Sequence, residues 1–301
     1  IYVHELLGLP AHCRVVELKQ ACYSGTAGLQ MALTFVRAYP TKKALVVMAD
    51  IARYGLITSG ESSQGAGAIA MVISANPRIL AIEAEFGVVT ESVMDFWRPN
   101  YTQEAHVDGK YSSKIYLTML ERAFKHYQTR SDRHLADHQH FLYHTPVPRL
   151  VEKAHEHLFK NEITVLAAAS LQTSLHYSRL MGNSYTASLY VCLLSLLENS
   201  TTDLAGQRIG FYSYGSGCVA EYFSGVVQPH YQSMLAADEH RLALSARKPL
   251  SYDQYVEFFN FAYNETGLTQ LIPLHETGAF RLTKLQQHKR CYEPVMEHCE
   301  C

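Results

Sequence analysis

The sequence predicts a layered α/β fold, and three observations favour that class. Two apolar runs of strand length, Lys43 to Ala49 and Ala68 to Ser74, are bounded by turn residues, as is typical of buried strands. A helix-forming segment that ends near Tyr39 precedes the first of them. The 301 residues are 48% hydrophobic and 18% charged, a composition that excludes intrinsic disorder and allows two domains or one large α/β body.

The first quarter of the chain is predicted to run strand, helix, strand, loop, strand. Residues 3–9 resemble the end of a helix, and the β-branched run from Cys13 to Leu18 predicts a strand. The helix follows Cys22, and the polar, glycine-rich stretch 58–67 predicts the loop between the two apolar strands. This order of elements is that of a layered α/β unit.

Beyond residue 82 the pattern changes to mixed polar and aromatic residues, with helical spacing clearest from Ser113 to Gln128. We interpret 83–139 as an insertion that covers a site and lies outside the core sheet. Further elements are predicted as strands at 140–143, 208–214 and 218–227, and as helices from 149, over 187–199 and over 252–263. The predicted division is therefore 1–82, 83–139 and 140–301.

Composition also limits the classes of partner. The formal net charge of −2 provides no basic field for nucleic acid or an anionic membrane, and no apolar run of about 18 residues predicts a transmembrane helix. The 7 cysteines are odd in number and scattered, which favours a reducing, cytoplasmic setting over a disulfide framework. The Cys/His-rich end at 288–301 does not match a zinc-binding spacing, so no metal site is predicted.

Cys22 is the strongest local signal of chemistry. It lies between a predicted strand and a glycine-containing helix start. The positive end of a helix stabilises a thiolate, and its free N–H groups can hold an oxyanion. The alternative is a small hydrophobic residue in a buried helix, and the local sequence leaves both interpretations open.

Four other segments carry candidate residues, each with a plainer alternative. His144 follows a strand and precedes a Pro-containing turn, where it acts as an acid/base or as a structural side chain. Asn183 is a helix cap or an amide that contacts a carbonyl, and the turn at Ser216 supplies backbone N–H groups or simply turns the chain. Arg149 and Lys153 share one helix face, which binds phosphate or faces solvent.

Seven motifs follow one another in the order found in the hydroxymethylglutaryl-coenzyme A synthase family, which the chain resembles from residue 1 to about 227. The motifs are Glu17–Ala27, Ala52–Gly55, Gln64–Ala68, Met94–Pro99, Tyr143–Pro146, Gly182–Thr186 and Ser213–Gly217. The resemblance implies a thiolase-like fold with a five-layer αβαβα body of two related halves, the N-terminal half incomplete here. It also implies a homodimer.

The resemblance further implies a condensation between an acetyl group and an acetoacetyl thioester. Cys22 matches the residue that becomes acetylated, and His144 matches the one that binds and polarises the acetoacetyl thioester. Asn183 matches the residue that holds the acyl or thioester carbonyl. The backbone at Ser216 matches the support of the oxyanion, and Tyr54 lies in a motif near the acyl pocket.

The same resemblance assigns the substrates. Arg149 and Lys153 match basic positions beside the coenzyme A tunnel, so coenzyme A thioesters are substrates and no cofactor is permanently bound. The partners implied are acetyl-CoA and acetoacetyl-CoA. A polyketide β-branching synthase that acts on a β-ketoacyl group of an acyl carrier protein is the alternative within the family.

One family residue is not matched. The family's general acid/base glutamate lies in a motif upstream of residue 1, and Glu5 does not match it. From this we expect that the 301 residues accept an acyl group on Cys22 but condense slowly. A condensation-dead acyl-binding partner is the alternative from a different functional class.

Overall fold

The structure is a computed structural model that describes residues 1–102, 104–160, 168–274 and 278–295. Two compact units divide the chain, one formed by Ile1–Glu17 with the residues from Ser245 onward and the other by Leu18–Leu244. No helix among the described residues is long and apolar enough to cross a membrane.

The helices and strands of the described residues are numbered along the chain. The helices are α1 (Tyr2–Leu6), α2 (Ser24–Ala38), α3 (Gly109–Ser131), α4 (Pro148–Leu158), α5 (Ala168–Met181), α6 (Ser188–Asn199), α7 (Ala237–Ser245) and α8 (Tyr252–Phe259). The strands are β1 (Lys43–Ile51), β2 (Ala66–Ser74), β3 (Leu80–Thr90), β4 (Phe96–Trp97), β5 (His106–Val107), β6 (His140–Tyr143), β7 (Arg208–Gly215), β8 (Val219–Val227), β9 (Gln270–Leu271), β10 (Phe280–Gln286) and β11 (Lys289–Pro294).

A four-stranded sheet with the order β3-β8-β7-β6 forms the centre of the larger unit. Strands β3, β8 and β7 are antiparallel, whereas β6 runs parallel to β7. Helix α3 packs against β3 and β8, and α5 and α6 pack against each other and against β6. Large aromatic side chains fill the resulting core, among them Tyr116, Tyr143, Phe211, Tyr212 and Tyr222.

The sequence of α3 explains its place on the sheet. The Asp108 carboxylate caps its first turn by accepting the N–H of Tyr111 at 3.0 Å. Its buried residues recur at helical spacing and form one apolar stripe, comprising Tyr116, Met119, Leu120, Ala123, Phe124 and Tyr127. Gly87 of β3 lies against the backbone of this helix, where a Cβ atom would collide with α3. The missing side chain therefore permits the close contact.

Strands β1 and β2 form an antiparallel hairpin on which α2 packs. Its covered face meets the buried α2 residues Leu29, Leu33 and Val36. On the opposite face, side chains such as Leu45, with its cross-strand neighbour Val72, are exposed. The two runs predicted as buried strands are strands, but only one of their faces is covered.

The smaller unit contains the antiparallel sheet β11-β10-β9 together with α1 and α8. Helix α8 begins with a capping box in which Ser251 and Gln254 satisfy each other's backbone N–H groups. The guanidinium of Arg290 lies 4.4 Å from the centre of the Tyr2 ring, which ties the chain start to β11. Of the Cys/His-rich end at 288–301, residues 296–301 lie outside the described residues.

Two sequence predictions about elements are wrong. Cys13 to Leu18 is not a strand and its side chains are exposed. Residues 83–90 are not part of a covering insertion, because they belong to β3 in the central sheet. The polar residue Glu83 is accommodated there because Arg208 and Arg133 donate to its carboxylate at 2.9 and 2.6 Å, so a half-buried strand can carry it. The three-part division of the chain stays a prediction.

Candidate active site

The loop that carries Cys22 is a tight turn directly before α2. Ala21 adopts the left-handed conformation with φ of 44°, which is unusual for a residue other than glycine. The hydroxyl of Ser24 closes the turn by accepting the N–H of Gln20 at 2.7 Å and donating to the carbonyl of Ala21 at 2.8 Å. These contacts fix Cys22 at the helix N-terminus.

Two glycines let neighbouring strands approach this loop. A Cβ atom on Gly215, the last residue of β7, would lie 2.7 Å from the Gln20 carbonyl oxygen and from Tyr23 Cβ. A Cβ atom on Gly25 would lie 2.5 Å from Met48 Sδ on β1. Either contact is closer than real Cβ atoms make, so the two glycines allow the Cys22 loop to lie between β7 and β1.

The surroundings of Cys22 favour the neutral thiol. Its side chain is half-buried, and burial, followed by the carboxylates of Asp50 and Asp95, raises the pKa of the thiol far above its ordinary value. Desolvation and the two carboxylates thus oppose the stabilisation of a thiolate that the helix N-terminus predicts. A nucleophilic role requires that the proton leave as the substrate reacts.

Asp95 is a site residue that the sequence analysis did not select. It is completely buried, and its carboxylate accepts the hydroxyl of Tyr214 at 2.6 Å and the backbone N–H of Gly217 at 3.1 Å. The hydroxyl of Ser112 also donates to it, at 3.3 Å. Asp95 thereby holds the turn that contains Ser216, which is half-buried at the end of β7. Its position within a matched motif was the available signal.

Asn183 and Tyr54 meet beside Cys22. The amide Nδ2 of Asn183 donates to the hydroxyl of Tyr54 at 2.8 Å, and its Oδ1 accepts the N–H of Tyr185 at 2.9 Å. The rings of Tyr54, Phe96 and Tyr185 lie 5.9 to 6.4 Å apart, centre to centre, and form an aromatic cluster. Burial raises the pKa of both tyrosines, and Cys22 contributes to both increases, so the cluster lies near the thiol.

His144 follows the last residue of β6 and is buried. Its backbone N–H donates to the carbonyl of Tyr212 at 2.7 Å, and its ring Nδ1 lies 2.8 Å from the hydroxyl of Ser188. Its ring stacks on that of Tyr214 with 6.5 Å between the centres. Burial lowers the pKa of His144 to about 3, so the imidazole is neutral at pH 7. With Nδ1 engaged, Nε2 is the nitrogen left to meet a substrate.

The contacts divide the predicted residues into two groups. Cys22, Tyr54 and Asn183 lie together, and Asp95 joins the neighbourhood of Cys22 to Tyr214, on which His144 stacks. Ser216 lies in the turn after β7 that Asp95 holds through the N–H of Gly217. Arg149 and Lys153 instead lie on α4, where Arg149 is exposed and donates to Glu152 at 3.0 Å. No described residues form a cluster of three or more His, Cys, Asp and Glu able to hold a metal ion.

Comparison with known proteins gives the family. Residues 81–170 and 165–292 match the family model of the hydroxymethylglutaryl-coenzyme A synthase C-terminal region. A hydroxymethylglutaryl-CoA synthase from Enterococcus faecalis is 40% identical over 262 residues, which cover 86% of this chain and 68% of that enzyme. The chain belongs to the hydroxymethylglutaryl-CoA synthase family.

A solved structure and a second curated relative agree with this family. The crystal structure of such a synthase complexed with CoA matches this chain with a TM-score of 0.93 and 40% identity, over 98% of this chain and 77% of that one. The predicted thiolase-like α/β fold is thus confirmed. The polyketide biosynthesis 3-hydroxy-3-methylglutaryl-ACP synthase PksG of Bacillus subtilis is 34% identical, over 86% of this chain and 66% of its own length. The chain spans about two thirds of the length of these curated relatives.

Proposed function

We propose that this chain accepts an acetyl group from acetyl-CoA on Cys22 and condenses it with acetoacetyl-CoA to give 3-hydroxy-3-methylglutaryl-CoA. The observation that carries the proposal is the placement of Cys22, held by a strained turn at the start of α2 beside the Asn183–Tyr54 pair and the aromatic cluster. Such a position offers a nucleophile, a hydrogen-bond donor and an apolar wall for a small acyl group.

The first half-reaction is acyl transfer. The Cys22 sulfur attacks the thioester carbonyl of acetyl-CoA, its proton passes to the departing coenzyme A sulfur, and the acetyl group remains on Cys22 as a new thioester. The neutral resting thiol fits this sequence, because deprotonation is coupled to arrival of the substrate. The second hydrogen of the Asn183 amide and the backbone at Ser216 are the groups that we assign to the carbonyl oxygen.

The second half-reaction forms the carbon–carbon bond. A carboxylate base takes a proton from the acetyl methyl group, the carbanion attacks the keto carbon of acetoacetyl-CoA, and the protonated base returns that proton to the resulting alkoxide. Water then cleaves the Cys22 thioester and restores the thiol. We assign His144 to the acetoacetyl group as a neutral hydrogen-bond donor through Nε2. None of the residues 1–301 matches the carboxylic acid/base that the family resemblance implies, so we expect the 301 residues by themselves to condense slowly even when Cys22 is acetylated.

A second candidate acceptor is a β-ketoacyl group on an acyl carrier protein. Its support is the 34% identity to PksG, whose name gives ACP as the carrier. Acylation of Cys22 would be common to both reactions, so the acceptor alone distinguishes them. We favour coenzyme A because of the greater similarity to the Enterococcus faecalis enzyme. The homodimer and the cytoplasmic location remain predictions.

The proposal is tested by incubating the protein with acetyl-CoA and measuring its mass. We expect one added acetyl group, which disappears in Cys22→Ala and persists in the matched control Cys218→Ala, where a buried free cysteine is replaced. An acetyl group that survives Cys22→Ala would contradict the assignment. Supplying acetoacetyl-CoA or a β-ketoacyl carrier protein to the acetylated protein then shows which acceptor discharges Cys22, and an acetyl that neither discharges identifies an acyl-binding protein.

A further inference from the structure

A buried carboxylate lies beneath the loop that carries Cys22. Glu221 of β8 is 1% exposed, and its Oε2 accepts the hydroxyl of Tyr23 at 2.6 Å. Its Oε1 accepts the amide Nε2 of Gln30 at 2.5 Å. Both donors are neutral, so neither of these contacts compensates the charge of the carboxylate. Burial accordingly raises the pKa of Glu221, although both hydrogen bonds oppose the increase.

The partners of Glu221 form a continuous polar contact between α2 and the central sheet. Tyr23 and Gln30 lie on one face of the helix, with Thr26 between them. Glu221 and Ser213 are direct cross-strand neighbours on β8 and β7, and Thr26 Oγ1 donates to Ser213 Oγ at 2.7 Å. We call these five residues the α2 polar seam.

Stability alone does not explain a carboxylate at this place. A buried charge loses its hydration, and replacement of such groups by well-packed apolar residues is often neutral or stabilising. Buried hydrogen bonds do, however, fix a geometry more strictly than apolar contacts, because they depend on direction. Tyr23 is bonded directly to Cys22 in the chain, so the hydroxyl held by Glu221 restrains the residue beside the thiol.

We propose that Glu221 is a positioning residue for the acetylation of Cys22 and that it acts through the hydroxyl of Tyr23. The inference rests on the proposed function, since it names a residue that prepares the same thiol. The contact with Tyr23 sets the path of the turn that leads into α2, whereas Gln30 only donates to the other carboxylate oxygen, from the second turn of the helix. A displacement of about 1 Å can slow a reaction about 100-fold, which makes such a restraint valuable.

Two substitutions separate positioning from a purely structural role. Tyr23→Phe and Gln30→Leu each remove one donor from the same carboxylate and preserve most of the packing, but only Tyr23 adjoins Cys22. We expect Tyr23→Phe to slow acetylation by acetyl-CoA about 10- to 100-fold, and Gln30→Leu to stay within about threefold of the unsubstituted protein. Equal slowing in both variants, or none in Tyr23→Phe, would overturn the proposal.

Replacement of Glu221 itself supplies a rescue test. In Glu221→Gln, the amide oxygen can accept the Tyr23 hydroxyl while the amide nitrogen donates to the oxygen of Gln30, so acetylation should remain within about threefold. Glu221→Leu removes the acceptor and should match Tyr23→Phe. If the leucine variant does not fold, the Tyr23→Phe and Gln30→Leu pair decides the question alone. Slowing in Glu221→Gln as large as in Tyr23→Phe would refute the role of the hydrogen bond.

Alkylation separates failure of this inference from failure of the proposed function. The rate at which iodoacetamide modifies Cys22 is measured by peptide mass spectrometry, with the exposed Cys13 as internal reference. We expect Tyr23→Phe to speed Cys22 alkylation at least threefold by loosening the turn around a half-buried thiol, and Gln30→Leu to leave it unchanged. An unsubstituted protein that takes no acetyl group refutes the proposed function, whereas an alkylation rate unchanged in Tyr23→Phe refutes the positioning role.

Discussion

Neutral His144 offers a substrate one hydrogen bond but no positive charge. Its pKa of about 3 leaves it unprotonated from pH 4 upward. A change in the condensation rate with pH near 6.5 would therefore report the titration of another group. The sequence predicted a histidine at the end of a strand, and the structure confirms that position. Its ionisation was not predictable, because it depends on burial among residues far away in the chain, such as Ser188 and Tyr214.

We predict that His144→Ala separates the two half-reactions. Acetylation of Cys22 should remain within about threefold, while condensation falls about 10²- to 10⁴-fold, as for loss of one positioned acid/base or donor. Ser188→Ala, which removes the partner of Nδ1, should cause a smaller loss in condensation. The two rates are measured by mass spectrometry of the protein and by product assay. A parallel fall of both rates in His144→Ala would move the histidine into the first half-reaction.

At the scale of elements, α4 tests the choice of acceptor. Arg149 and Lys153 lie one turn apart on the exposed face of this helix, with Glu156 on the same face. We predict that Lys153→Ala weakens coenzyme A binding about tenfold, and Arg149→Ala less, because Glu152 competes for that guanidinium. Glu156→Gln is the control of opposite sign and should strengthen binding slightly. Calorimetric titration at low and high salt measures the effects, which should shrink as salt screens the charges.

The result on α4 also bears on the carrier. Coenzyme A affinity could be unchanged in Arg149→Ala and Lys153→Ala while binding of an acyl carrier protein is lost. That result would favour an acyl carrier protein as the carrier of the acceptor and contradict the assignment of coenzyme A. Helix α4 itself was well predicted, since Pro148 at its first position is a common start signal. What a helix face binds does not follow from its boundaries.

Strand β3 shows where the sequence misleads about elements. Alternating apolar and polar residues indicate a strand with one solvent-exposed face, and glutamates at 83 and 85 favour a position at the surface of the protein. Glu83 is nevertheless half-buried, because Arg133, Arg208 and the hydroxyl of Ser224 all donate to it. These partners are up to 141 residues away along the chain. Apolar runs such as β1 and β2 are predictable locally, whereas half-buried ion pairs between distant residues are not.

For the whole molecule, two buried histidines should make stability depend on pH. Burial lowers the pKa of His138 to about 4 and that of His144 to about 3, while the unfolded chain titrates near 6.5. Between these values the unfolded state binds more protons, so the free energy of unfolding falls as pH is lowered from 6.5 towards 4. Each histidine contributes a slope of up to about 1.4 kcal/mol per pH unit.

Urea unfolding at pH 7, 6, 5.5 and 5 measures this dependence. We predict that His138→Gln, which can keep the contact with Tyr127, loses stability less steeply with falling pH than the unsubstituted protein, by about 1 kcal/mol per unit below pH 6. Groups with a raised pKa, such as Glu221 and Asp50, titrate with the opposite sign but are common to both proteins. Identical slopes would show that His138 is not kept neutral by the fold.

The direct pairing of Ser213 with Glu221 makes the length of the intervening turn a fixed quantity. Side chains alternate between the two faces of a sheet. If one residue were added or deleted between positions 215 and 219, and β8 shifted by one residue against β7, Glu221 would face α3 and no longer Tyr23. Substitutions in this turn change one contact at a time, whereas a single-residue insertion would exchange the occupants of both faces of β8. Natural variation in this segment should therefore consist of amino-acid substitutions and not of insertions or deletions.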